Sequence, residues 1–164
     1  MKKFSIRGLR LALLTVGLAG LFVMLNAVPG AATPWSSTFS SQLLGRGINM
    51  SDGTIPLKGG TDNVVAKNTF LVPGASSGWH SHPGGAIVVV QQGEITFYRS
   101  VGNHCDATKY TAGQSFIERP DDVANAVNTG TGPTITYALF PSVPHLGMTR
   151  IDQPNPGTCP PGVV

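Results

Sequence analysis

From Thr61 onward, short runs of apolar and β-branched residues alternate with glycine or proline stops, a rhythm that suits strands and little else. The runs are Thr61–Val72, Trp79–His82, Ala86–Gln91, Glu94–Arg99, Gln114–Glu118, Val123–Val127 and Thr134–Phe140. None carries the 3.6-residue period of an amphipathic helix. The 21 glycines and 13 prolines fall mostly between the runs, where turns need unusual or fixed φ. Gln92-Gly93 predicts a hairpin joining Ala86–Gln91 to Glu94–Arg99. The stretch Asn128–Pro133 predicts a second hairpin, joining Val123–Val127 to Thr134–Phe140. Ser/Thr-rich residues 35–51 read as a leading arm or edge strand. The fold class is therefore all-β, an antiparallel sandwich or barrel of one domain, which suits a chain of 164 residues.

The first 32 residues stand apart from this pattern. Lys2, Lys3, Arg7 and Arg10 precede the apolar stretch Leu11–Val28, and Gly30-Ala31-Ala32 follows. That is the layout of a signal peptide, with cleavage expected after Ala32; the alternative is an uncleaved N-terminal membrane anchor. The expected localisation is secreted or periplasmic, with residues 33–164 as the folded domain. Without the first 32 residues the chain keeps seven basic residues against eight acidic ones, so nucleic acid is excluded as a partner. Two cysteines, Cys105 and Cys159, lie in turn-rich contexts. An even, low count in an exported chain predicts a disulfide between them.

Chemistry concentrates in Gly74-Ala75-Ser76-Ser77-Gly78-Trp79-His80-Ser81-His82-Pro83-Gly84-Gly85-Ala86. Residues two apart on a strand share a face, so His80 and His82 present their imidazoles together, half of a divalent metal site for Zn, Fe, Ni, Mn or Cu. The plainer reading is two solvated histidines beside a turn. No convincing nucleophile constellation accompanies them, since Ser76, Ser77 and Ser81 sit in a turn, where serine is ordinary. Glu94 and Glu118 read as separated carboxylates.

Gly74-x5-His80-x-His82 with Gly93 beyond it resembles the first motif of the cupin superfamily, and Gly113, Pro120 and Asn128-Thr129-Gly130 resemble the second. The ending Arg150–Pro160 is similar to that of small exported bacterial cupins. The resemblance spans roughly residues 45–160. It implies a double-sheet jelly-roll barrel over about residues 43–151, with an extended proline-rich tail at 152–164. It also implies a metal held by two histidines and a glutamate from the first motif and a histidine from the second. This chain has Ala86 at the glutamate position, and Ala124 or Asn125 at the last histidine position.

Two functions stay open: a barrel with a decayed metal site that holds a small ligand or is structural, or a metal-dependent enzyme of oxygenase or isomerase type. In the second reading Asp122, two before Ala124, or His145 supplies the missing ligand. A small-molecule ligand and a homodimer are the expected partners, with a membrane only if the N-terminal segment stays uncleaved.

Overall fold

The computed structural model describes residues 40–160 and Val163. The expected signal segment and the cleavage site after Ala32 lie outside the described residues. The strands are β1 (Ile48–Asn49), β2 (Asp62–Phe70), β3 (His80–Ser81), β4 (Ala86–Gln92), β5 (Glu94–Val101), β6 (His104–Thr111), β7 (Gln114–Glu118), β8 (Ala124–Val127), β9 (Thr134–Val143) and β10 (Ile151–Asp152), with no helix among the described residues. From Gln42 onward the described residues form one compact unit.

Two five-stranded sheets face each other, ordered β1-β7-β4-β9-β2 and β10-β3-β8-β5-β6. Every pairing is antiparallel except the parallel contact of β1 with β7, so residues 48–49 form an edge strand as expected. Alternation decides which side chains enter the core. Ala86, Val88 and Val90 of β4 are buried while Ile87 is exposed, and on β9 Thr134, Thr136, Ala138 and Phe140 are buried. Tyr110 stacks on Phe116 at 4.3 Å between ring centroids, and Phe97 tilts against the same ring at 5.0 Å. Burial of each such ring contributes about 1.5–3 kcal/mol.

Neither expected hairpin forms. β4 belongs to one sheet and β5 to the other, and the same holds for β9 and β8. Both edges of β4 are occupied, by β7 and by β9, so β5 has no free edge to pair with. Gly93 is instead a corner between sheets. It sits at φ 79°, and an added Cβ would collide with Thr134 Oγ1 and lie 2.7 Å from the carbonyl oxygen of Pro133. The true hairpin joins β5 to β6 around Gly102-Asn103, in unbroken register from Glu94↔Thr111 to Val101↔His104. A glycine stop announces a reversal but leaves open whether the chain returns to the same sheet.

The tail from residue 149 onward is tied down at three places. β10 pairs with β3, the Gln153 amide donates to the Trp79 carbonyl at 3.0 Å, and Cys159 is bonded to Cys105 on β6 with a Cα separation of 4.9 Å. The predicted disulfide is thus present.

Candidate metal centre

His80 opens β3, and His82 follows two residues later on the same side, so both imidazoles enter the barrel interior. Each ring is held through Nδ1 by a backbone carbonyl: His80 by Gly78 O at 2.8 Å, and His82 by Thr149 O at 2.6 Å. A carbonyl oxygen only accepts, so both Nδ1 atoms carry the proton and donate. Both Nε2 atoms then turn lone pairs inward, and they lie 3.1 Å apart. Second partners of this kind fix tautomer and ring orientation in metal-binding histidines.

The third member is Glu118, at the end of β7. Its Oε2 is 3.4 Å from His82 Nε2, and the two Nε2 atoms and the carboxylate oxygen all fall within 4.8 Å of one another. All three side chains are buried. The register explains how the carboxylate arrives. Ala86 on β4 pairs directly with Glu118 on β7, and directly opposed residues of an antiparallel pair point to the same face. The carboxylate absent at position 86 is therefore supplied one strand away. Gly85 permits the approach: at φ 76°, its Cβ would stand 2.5 Å from the Glu118 carbonyl oxygen.

Burial sets the protonation of the group. It pushes His80 down to about 4, and the neighbouring His82 and Arg150 charges push the same way. His82 is lowered as well, chiefly by burial and further by Arg150. Burial pushes Glu118 up to about 7; Arg150 opposes this and Asp122 adds to it. Near neutral pH both imidazoles are neutral, and among the described residues the carboxyl has no Lys or Arg within ion-pair distance.

The donor set fits a divalent first-row ion. Two nitrogens each about 2.0–2.1 Å from one ion can stand at most about 4.2 Å apart, and here they are 3.1 Å apart. Two imidazoles and one carboxylate form a set used by zinc and by non-haem iron, with positions left for water or substrate. Ala124 pairs with His80 and is buried, so the place of a second-motif histidine holds only a methyl group. Asn125 faces elsewhere, accepting hydrogen bonds from the Ser76 and Ser77 hydroxyls.

Neither substitute ligand reaches the centre. Asp122 pairs with Arg99 at 3.1 Å, in a cluster where Arg99 also holds Asp106 at 2.8 Å. His145 is exposed and bonds to Asp62 at 3.0 Å. The reading of Glu118 as an isolated carboxylate is corrected: three groups that could hold a metal stand together, not the two histidines alone. The position of Glu118 could be read from the strand itself: it is two residues after Phe116, a core residue, and so shares its inward face.

The three groups form one wall of a cavity of about 480 Å3. Val88, Ile95, Phe116 and Phe140 supply apolar lining, and Thr149 and Arg150 close it from the tail. The volume lies within the range of small-molecule sites.

A two-sheet barrel with inward histidines at the start of a short strand is the architecture of a cupin. Residues 69–140 match the cupin domain model, which supports the cupin superfamily for this chain. No curated protein matches it significantly. Among solved structures, it is similar to Peruvianin-I, a cysteine peptidase from Thevetia peruviana latex, with 27% identity over 50% of this chain and 52% of that one, at a TM-score of 0.45. The chain thus spans about half the length of that protein. It is also similar to a Klebsiella pneumoniae protein with a double-stranded beta-helix domain, with 26% identity over 64% of this chain and 89% of that one, TM-score 0.41. A predicted oxalate decarboxylase from Thermotoga maritima shares 25% identity over 46% of this chain and 63% of that one, TM-score 0.40.

Proposed function

We propose that this protein binds one divalent first-row metal ion on His80, His82 and Glu118 and presents it to a small molecule in the adjoining cavity. The carrying observation is the pair of Nε2 atoms 3.1 Å apart, each with its ring's other nitrogen committed to a carbonyl. Two facing lone pairs repel unless a proton or a cation lies between them, and buried imidazoles hold a proton poorly. Glu118 supplies the negative charge that a cation requires. The bound ion would act as a Lewis acid toward an oxygen of a ligand in the cavity that all three residues line.

The alternative, a decayed site serving only small-ligand binding or structure, rested on counting two ligands; three converging donors favour the metal reading. The test is metal content and calorimetric titration of the protein purified from medium supplemented with Mn, Fe, Ni and Zn. One equivalent of one of these ions, lost in His80→Ala, supports the reading. Metal-free protein that titrates with none of them ends it.

We also propose that the protein works outside the cytoplasm. The Cys105–Cys159 disulfide supports this, because such bonds persist in oxidising compartments. Fractionation of the native cell that recovers it only in the cytosol with free thiols would reject the proposal.

A further inference from the structure

Among the described residues two cationic side chains line the cavity, Lys67 and Arg150; Arg150 is the one whose charge is felt at the histidines and Glu118. Arg150 lies one residue before β10 and directly follows Thr149, whose carbonyl orients His82. Its Nη2 passes over Gly78, standing 3.5 Å from where a Cβ on that glycine would be. The backbone beneath is rigid, since Ile151 and Asp152 pair with Ser81 and His80. The guanidinium uses only Nε within the described protein, donating to Asp152 at 2.6 Å. It makes no ion pair with Glu118, no hydrogen bond of either Nη is found among the described residues, and the residue lines a cavity that also contains His80, His82 and Glu118.

We propose that Arg150 is the specificity-determining residue of the cavity, its free Nη edge receiving the carboxylate of a small organic acid whose other end reaches the metal centre. Two considerations lead there. A guanidinium with an unused edge matches a carboxylate oxygen for oxygen, which a neutral ligand cannot do. The charge balance points the same way: a divalent ion, Arg150 and Lys67 outweigh Glu118 and Asp152, an excess that favours an anionic ligand. The apolar lining from Val88, Phe116 and Phe140 then limits the acid to a small body. This inference rests on the metal reading for the ligand's second anchor, while the carboxylate anchor stands on Arg150 alone.

The probes are glycolate and its neutral counterpart glycolamide, titrated calorimetrically into the whole protein with and without zinc. Zinc-loaded protein should bind glycolate about tenfold or more tightly than glycolamide. Arg150→Gln should erase that preference without lowering zinc affinity, because it removes a positive charge near a cation site. A purely structural arginine would instead lower zinc affinity by loosening the Thr149 carbonyl from His82. Arg150→Lys should keep part of the preference, since it keeps the charge and loses the fork. The proposal is overturned if glycolate fails to bind at millimolar concentration, or if Arg150→Gln binds it as the native protein does. Stoichiometric zinc with an acid preference independent of Arg150 sinks this inference alone. An Arg150-dependent preference in protein that takes up no metal sinks the metal reading and keeps this one.

Discussion

Glu118 and Asp122 are four residues apart in the chain and finish in opposite circumstances. Asp122 belongs to a cluster that carries its own counter-charge: Arg99 holds it at 3.1 Å and Asp106 at 2.8 Å, all three partly open to solvent. Glu118 is buried beside two neutral imidazoles with no cation in contact. The first cluster is electrostatically complete, whereas the second has no counter-charge in contact among the described residues, and the proposed cation would supply it. That difference separates a structural ion-pair network from a binding site, although both contain an acid and a nearby histidine or arginine.

The largest effect should come from the bond that links the two regions. Cys105 neighbours Asp106 in the ion-pair cluster, and Cys159 anchors the tail that brings Thr149 and Arg150 to the centre. Closing a loop with a sequence separation of 54 stabilises by about 4 kcal/mol in the chain-entropy model. Denaturant unfolding of Cys105→Ser/Cys159→Ser should show a loss of that order. An unchanged midpoint would mean that the tail is held by β10 alone.

Next come the two acids themselves. Glu118→Gln should weaken metal binding by roughly a hundredfold, whereas Asp122→Asn should change it by less than about threefold. Equal effects would erase the contrast drawn here. The sharpest version moves the carboxylate across the ladder. Because Ala86 and Glu118 are directly opposed, Ala86→Glu/Glu118→Ala should recover affinity to within about tenfold of the native protein.

Acidification should distinguish the regions in a third way. Glu118 is pushed up to about 7, so below that pH an ion must displace a proton from it. Metal affinity should fall about tenfold for each unit between pH 6.5 and 5, measured by calorimetry. The stability of the metal-free protein should respond less. Its raised carboxyl holds a proton that the unfolded chain gives up from about 4.5 upward, so it contributes stability as pH falls from 7 toward 4.5. His80 has the opposite sign: lowered to about 4, it costs stability as pH falls from 6.5, when the unfolded chain takes a proton first. His82 acts in the same direction as His80. Glu118 therefore offsets part of the histidine effect, and metal-free Glu118→Gln should lose more stability than the native protein between pH 6.5 and 5.

The smallest effect is expected at Arg99. Its replacement by Gln removes two partly exposed ion pairs and should cost about 1 kcal/mol or less, with metal affinity unchanged. A large loss of metal binding would show that the two regions are coupled.

Much of the molecule was legible beforehand, and the failures share one cause. The strand Gln114–Glu118 appears with the expected limits, and the disulfide pairs as the cysteine count required. The hairpins at Gly93 and at residues 128–133 were misread, because a turn signal carries no information about which sheet the chain rejoins. The same gap hid the third donor. Glu118 falls in an expected strand, and its two-residue spacing from the apolar Phe116 already places the carboxyl on the inward face. What was missing was the partner strand, since Ala86 and Glu118 meet only through the β4–β7 ladder.

The sequence by itself determined what is local. It decided the all-β class, the shared face of His80 and His82, and the conformations that glycine alone adopts, because φ preferences and a two-residue alternation act between neighbours in the chain. The tertiary structure decided what is paired: that Glu118 stands opposite Ala86 and beside the histidines, that Asp122 is claimed by Arg99, and that Thr149 and Arg150 return from the far end of the chain to the histidines. The physical reason is that a ligand set is a matter of distance across strands. Register and burial set that distance, and they exist only once the two sheets have closed on a common core.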